Sequence, residues 1–172
     1  RYVAYSDQIN RSGYYVWENA ANIMVWDTRS KQLPVNVSRL AANEFAPAWS
    51  PDGKYLYFQS DRGQGVSLYA LPLSPEDART TEIELKYEKP KDAVKCEFDF
   101  DQAYRRARRI VAGETSSLVP DPENGELLFL RGGDLWKAGY DGDGARALTQ
   151  GGGFIGMGLT ADAKQLQTLK GG

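Results

Sequence analysis

The sequence of 172 residues contains no histidine and a single cysteine, Cys96. Without an imidazole, a serine nucleophile lacks its usual base, and zinc or copper sites lack their commonest ligand. We therefore do not expect a self-sufficient hydrolase, and we expect no catalytic residue, no metal site and no cofactor. The lone thiol also excludes an internal disulfide and a cysteine-based zinc site.

Long apolar runs and an excess of basic charge are also missing. No stretch approaches the ~18 apolar residues of a membrane-spanning helix, and no leader of the signal-peptide type is evident. The 21 Lys and Arg residues nearly balance 23 Asp and Glu, which gives a net charge of -2. We therefore expect no nucleic-acid partner and no membrane insertion.

What the sequence does contain is a repeated series of short apolar stretches separated by turn signals. In the clearest unit, Phe45–Leu73, a tight turn at residues 51–53 follows a strand ending at Trp49, and two further strands cover residues 55–59 and 67–71. The unit recurs from Ser117 and again from Phe154. Lys164 follows Glu126 by 38 residues, close to the ~40–45 residues of a four-stranded propeller blade.

The second strand of each unit is apolar on both faces, as in KYLYFQ and ELLFL. Both faces must then be covered, which favours stacked propeller blades over a sandwich, although a sandwich stays the alternative. We predict an all-β fold, an incomplete β-propeller of about three four-stranded antiparallel blades. Expected limits are a blade at 1–40 lacking its first strand, a blade at 41–90 whose last strand lies near residues 81–87, a charged crossover at 91–113, a blade at 114–150 and the start of the next at 151–172. We expect a piece of a longer chain.

Two segments carry a family resemblance, AWSPDGKYLYFQSDR and LVPDPENGELLFLRGGDLW. They resemble the propeller repeats of TolB and of tricorn-type peptidases. The order of the pieces, with EFDFDQAYRRARRI between two blades, is similar to the N-terminal propeller region of tricorn-like serine peptidases. The resemblance implies that the catalytic serine, its histidine and a PDZ-like module lie downstream. None of those motifs matches a position here.

Three functions follow as hypotheses. The first is a non-catalytic propeller module that guides or filters peptides or unfolded protein substrates toward a catalytic domain elsewhere in the chain. The second is a TolB-like propeller that docks a protein partner and has no enzymatic parent. The third, a propeller of a carbohydrate-active enzyme, is weakened because the repeats lack a convergent set of carboxylates. Expected partners are peptides, the rest of the parent chain and possible further copies of this chain, and a periplasmic location is slightly favoured over a cytoplasmic one.

Two groups of residues are candidate binding sites. Four arginines lie within five residues, and guanidinium groups pair bidentately with carboxylates such as a peptide C-terminus. The alternative is a solvated turn in which local acids and arginines pair. Three aromatic residues lie in the unusually long connection at residues 8–21, where a loop at a propeller face could make contacts. The candidates are Arg105, Arg106, Arg108, Arg109, Tyr14, Tyr15 and Trp17.

Other conspicuous residues have structural interpretations. Asp141–Gly144 could suggest calcium ligands, but a hairpin turn fits better because the loop lacks a further acid. Gly151–Gly153 is interpreted as a linker between blades. Trp26, Trp49 and Trp136 fall at regular positions in the repeats, and we therefore expect all three to pack between blades.

Overall fold

The structure is a computed structural model that describes residues 1–8, 20–40, 42–79 and 87–171. The candidates Tyr14, Tyr15 and Trp17 lie outside these ranges. The strands are β1 Tyr2–Gln8, β2 Ala21–Asp27, β3 Val35–Asn36, β4 Glu44–Trp49, β5 Tyr55–Gly63, β6 Gly65–Pro72, β7 Arg108–Val111, β8 Ser116–Pro120, β9 Leu127–Arg131, β10 Asp134–Ala138, β11 Arg146–Ala147, β12 Phe154–Leu159 and β13 Leu166–Lys170. A short helix α1 spans Pro75–Arg79 and a 3-10 helix spans Ala103–Arg105.

The strands form successive antiparallel sheets. The first sheet has the order β1-β2-β3, the second β4-β5-β6-β7, the third β8-β9-β10-β11, and the fourth contains β12 and β13. Strands that follow one another along the chain are neighbours, as the short hairpin turns of the sequence require. The meander predicted for each repeat is confirmed. None of the helices in the described ranges has the length and apolarity needed to cross a membrane.

The same turn joins the first and second strands of three sheets. In the second sheet, the Ser50 N–H donates to the Tyr55 carbonyl, and the corresponding bonds join Asp121 to Glu126 and Thr160 to Gln165. Gly53 and Gly125 both have a φ of +71° in these turns. The two glycines therefore occupy equivalent turns, although Gly125 comes one residue later in its turn than Gly53 does. The turn bonds align Glu126 with Tyr55 and hence Leu127 with Leu56.

Two apolar cores separate the first three sheets. On β5, alternate side chains point in opposite directions, so Leu56 and Phe58 pack toward the first sheet while Tyr55 and Tyr57 pack toward the third. Both faces of β5 are buried from Tyr55 to Ser60. The predicted burial of both faces of this strand is thus confirmed.

The fourth strand of the second sheet was predicted in the wrong place. The strand that pairs with β6 is β7, with Ala70 opposite Arg108 and Leu68 opposite Val111. It lies inside the range expected for the crossover, whereas Tyr87 is not in a strand, and residues 81–86 are outside the described ranges. Alternation of apolar and polar residues at 83–87 suggests a strand locally, but the open edge of β6 is filled by a segment that buries Val111. A long connecting loop adds little entropic cost.

The burial expected for the tryptophans holds for two of the three. Trp49 and Trp136 are half-buried and pack against the two cores. The expectation for Trp26 was wrong, because its side chain is 41% exposed. On β2, Ile23 and Val25 face the second sheet, so Trp26 points to the other face, which no sheet of the described part covers.

Candidate functional site

From residue 87 onward, the connection between β6 and β7 runs along the turn ends of the sheets. Arg105 and Arg106 lie near its end, and Arg108 and Arg109 lie on β7. We call residues 87–100 the strap. At its start, the Tyr87 hydroxyl donates to the Pro122 carbonyl at 2.8 Å, and Lys89 forms an exposed ion pair with Glu123 at 2.7 Å. A Cβ at Gly125 would lie 2.6 Å from Tyr87 Cδ2, so the ring occupies the space that a side chain would need. The strap thus begins on the third sheet.

The middle of the strap lies against the turn of the second sheet. A Cβ at Gly53 would collide with Val94 Cγ1 and lie 3.6 Å from Cys96 Cβ. A cavity of about 210 Å³ remains here, lined by residues that include Tyr2, Trp49, Val94 and Cys96. Burial raises the pKa of the Cys96 thiol, which keeps it protonated and weakly reactive at neutral pH.

The end of the strap packs against the first sheet. The rings of Phe98 and Phe100 stack with centroids 4.5 Å apart, and both contact Tyr2 edge-on. A second, more open cavity of about 560 Å³ adjoins this end, and its lining includes Glu97 and Asp99. One continuous segment therefore touches three successive sheets.

Arg106 is committed to the fold. Its guanidinium donates to the carbonyls of Pro72 at 3.1 Å, Leu73 at 3.3 Å and Asp101 at 2.9 Å, and also to that of Asp99. These bonds hold the 3-10 helix against the end of β6. A planar fork with five donors suits such a set of acceptors.

The other three arginines diverge. Arg105 is exposed, and its Nε lies 3.2 Å from the Tyr104 hydroxyl. Arg108 pairs with Ala70 and lies over the Tyr55 ring, 5.9 Å from its centroid, on the side of the third sheet. Arg109 pairs with Tyr69, so its exposed side chain belongs to the opposite face. The structure does not bring the four guanidinium groups together, and peptide binding by any of them stays a prediction.

Tyrosines from three parts of the chain meet between the second and third sheets. Tyr140 lies 5.2 Å from Tyr55, 6.3 Å from Tyr57 and 5.6 Å from Tyr87, measured between ring centroids. The Tyr140 hydroxyl donates to Asp52 Oδ2 at 2.5 Å, and the Tyr57 hydroxyl donates to the Tyr140 carbonyl at 3.0 Å.

Burial raises the pKa of each core tyrosine in this cluster. The pKa of Tyr55 rises to about 12, and those of Tyr57 and Tyr140 also rise strongly, with the nearby Asp52 carboxylate adding to the effect of burial. The hydroxyls therefore act as hydrogen-bond donors at neutral pH. The cluster is a polar but un-ionised contact between two sheets, and no repeat or motif in the sequence indicates it.

A buried ion pair lies at the end of the second sheet opposite the tyrosine cluster, and the sequence-based predictions do not include it either. Glu44 is fully buried and pairs with Arg62, whose guanidinium lies over the rings of Phe58 and Tyr69 at 5.2 and 4.5 Å from their centroids. Burial raises the pKa of Glu44, although Arg62 opposes the shift. Arg131 repeats the ring contact, over Phe129 and Trp136 in the third sheet. The available sequence signal was an arginine near the end of β5 and at the end of β9.

The acidic loop of the third sheet forms a turn. The Gly139 N–H donates to the Asp143 carbonyl at 2.7 Å, and the Asp143 N–H donates to Asp141 Oδ1 at 3.0 Å. In the part of the chain that the structure describes, no three acidic or cysteine side chains form a group that could hold a metal ion. The interpretation of Asp141–Gly144 as a hairpin turn is confirmed.

The successive antiparallel sheets are stacked like the blades of a β-propeller. Across 99% of its length the chain matches a structure described as tricorn protease, with a TM-score of 0.70 and 18% identity, and it spans 19% of that chain. It also aligns with TolB from Acinetobacter baumannii, with a TM-score of 0.42, 18% identity and coverage of 97% of this chain and 46% of that one. No protein-family model and no curated protein matches the sequence. The fold and the resemblance predicted from the repeats are confirmed.

Proposed function

We propose that the chain is a non-catalytic propeller module that binds peptides or unfolded segments and guides them toward catalytic groups elsewhere in a longer protein. The observation that carries the proposal is the fold match to tricorn protease over nearly the whole chain, at a fraction of that protein's length. A guiding role needs binding without chemistry. The absence of histidine from the sequence fits this requirement.

Exposure to solvent supports two of the predicted arginines as peptide contacts. The side chains of Arg105 and Arg109 are exposed, whereas Arg106 is used by backbone carbonyls. A guanidinium in water can pair with a carboxylate of an incoming chain in a charge-assisted bond. We therefore propose Arg105 and Arg109 as two separate contacts for carboxylates of a bound peptide.

Fluorescence anisotropy with labelled, unstructured peptides tests the proposal. The same peptides are compared with a free C-terminal carboxylate and with a C-terminal amide. We expect weak, saturable binding that is weaker for the amidated form, and about tenfold weaker for Arg109→Gln, because a charge-assisted pair is lost.

Lys164→Gln is the matched control, because it removes one positive charge from an exposed position on a distant turn. If Arg109→Gln and Lys164→Gln lose the same peptide affinity, the loss is explained by net charge and not by a specific contact of Arg109. No saturable binding of either peptide form would contradict the proposal, and tight binding of a folded protein instead would favour the TolB-like docking alternative.

A further inference from the structure

The strap differs from the rest of the described chain in how it is held. Residues 87–100 contain no helix or strand, and most side chains from Glu88 to Lys95 are exposed. Among the described residues, the backbone bond that ties this segment to a sheet runs from the Asp99 N–H to the Leu73 carbonyl at 2.9 Å. Segments with few buried contacts and few backbone bonds open at a lower free energy than the sheets around them.

The firm contacts of the strap are aromatic and lie at its two ends. At one end, the Tyr87 ring sits on Gly125 and lies 5.6 Å from Tyr140. At the other, the Phe98 side chain is buried and stacks on Phe100 beside Tyr2. Between these ends, Val94 touches Gly53 but stays 41% exposed.

We infer that the strap is a detachable clasp, which is fastened by Tyr87 and by Phe98, and which lifts from the turn ends of the second and third sheets as one unit. Its release removes one ring from the tyrosine cluster and opens the cavity beside Cys96. The clasp thus sets how firmly two successive sheets are joined at their turn ends.

The coupling follows from the shared contacts of Tyr140. Tyr140 reaches the turn of the second sheet through Asp52 and touches Tyr87 of the strap, which itself bonds to the turn of the third sheet through Pro122. Loosening Tyr87 therefore affects contacts on both turns. A local break at Tyr87 frees Val94 and Cys96 as well, because no backbone–backbone bond within the described ranges holds residues 87–98 to a sheet. The Phe98 N–H donates to the Tyr2 hydroxyl at 3.4 Å, at the end of the strap that Phe98 fastens.

Cys96 provides a direct reporter, since it is the chain's single thiol and is a half-buried residue of the strap itself. We would measure its labelling by an excess of a thiol reagent at increasing, sub-denaturing concentrations of urea. In the unmodified chain, we expect labelling through an opening whose urea dependence is clearly shallower than that of global unfolding, because little surface is exposed.

Tyr87→Ala should accelerate labelling of Cys96, nine residues further along the chain, by about tenfold or more. Gly125→Ala should do the same from the other side of the contact, because its Cβ displaces the Tyr87 ring. Tyr5→Ala removes an exposed tyrosine on the far face of the first sheet and should leave the rate unchanged.

Two results would overturn the inference. One is a urea dependence of labelling in the unmodified chain that equals that of global unfolding, since the strap would then not open separately. The other is an unchanged rate in a folded Tyr87→Ala or Gly125→Ala chain. If one variant does not fold, the labelling rates of the other variant and of the unmodified chain still test the inference.

Discussion

At the scale of single residues, the repeated turn depends on one backbone conformation. Gly53 supplies a left-handed φ in the first copy, and Gly125 supplies it one residue later in the second. Ala163 holds the position of Gly53 in the third copy, with a φ of +56°. A residue with a Cβ is disfavoured in this region, by roughly 1–2 kcal/mol. The third turn is therefore strained relative to the other two.

Replacing Ala163 by glycine should stabilise the chain. We expect a gain of roughly 0.5–1 kcal/mol in the free energy of unfolding, since relief of the strain exceeds the added entropy of the unfolded chain. The reverse change, Gly53→Ala, should destabilise by about 1–2 kcal/mol or more. Urea unfolding monitored by circular dichroism measures both, and equal effects of the two substitutions would contradict the equivalence of the turns.

The tyrosine cluster makes a second residue-scale prediction, on alkaline pH. Because the folded-state pKa of Tyr55 is raised to about 12, and those of Tyr57 and Tyr140 are raised too, the neutral hydroxyls stabilise the fold fully below about pH 10, the unfolded value. This stability is lost as the pH rises through the folded values. Ultraviolet titration of tyrosinate should therefore show a late step that coincides with unfolding.

Tyr140→Phe tests which tyrosine dominates the late step. It removes the hydroxyl bonded to Asp52, so we expect a smaller late step and a loss of about 1–2 kcal/mol at neutral pH. Tyr5→Phe, on the exposed face of the first sheet, serves as the control and should not change the pH of unfolding. A single tyrosinate step well before unfolding would contradict the burial of the cluster.

At the scale of elements, the return of the crossover into β7 depends on Arg106. Its carbonyl contacts join the end of β6 to residues 99–101, while the neighbouring Arg105 is exposed. Adjacent arginines in one basic run thus differ sharply in role. Their roles differ because the two side chains point in different directions.

Arg106→Ala should cost about 2–3 kcal/mol of unfolding free energy, because four backbone carbonyls, most of them partly buried, lose a charged donor. Arg106→Lys should recover only part of this, since an ammonium cannot match the planar fork. Arg105→Ala should change stability by less than about 0.5 kcal/mol. Chemical denaturation of the three variants tests this, and equal losses at the two positions would show that Arg106 is not the anchor.

At the scale of the whole molecule, the inner faces of the stack are buried and the two outer faces are apolar. Val3 and Trp26 are 46% and 41% exposed on the first sheet, and Ile155 and Leu169 are 63% and 62% exposed on the fourth. Apolar side chains of this kind are buried between neighbouring sheets elsewhere in the stack. Exposed apolar surface of this kind favours association with another protein surface.

The 172-residue chain should therefore self-associate as its concentration rises. Trp26→Glu combined with Ile155→Glu should shift the population toward monomer, because a charge placed in each apolar face opposes its burial. Light scattering and sedimentation velocity measure the association. A sharp monomer peak with an unfolding midpoint independent of concentration would contradict the prediction, since mass action makes an oligomer's stability rise with concentration.

Local pattern was enough to determine the all-β class, the repeated turns and the double-sided burial of β5, because turn residues and alternation act over only a few positions. Tertiary structure decided which segment completes the second sheet, since β6 accepts Val111 from across a long crossover. It also decided that Trp26 faces outward, that the four arginines diverge and that Tyr140 reaches Asp52. These outcomes depend on which surfaces meet in space, and residues distant in the chain carry no local signal of their partners.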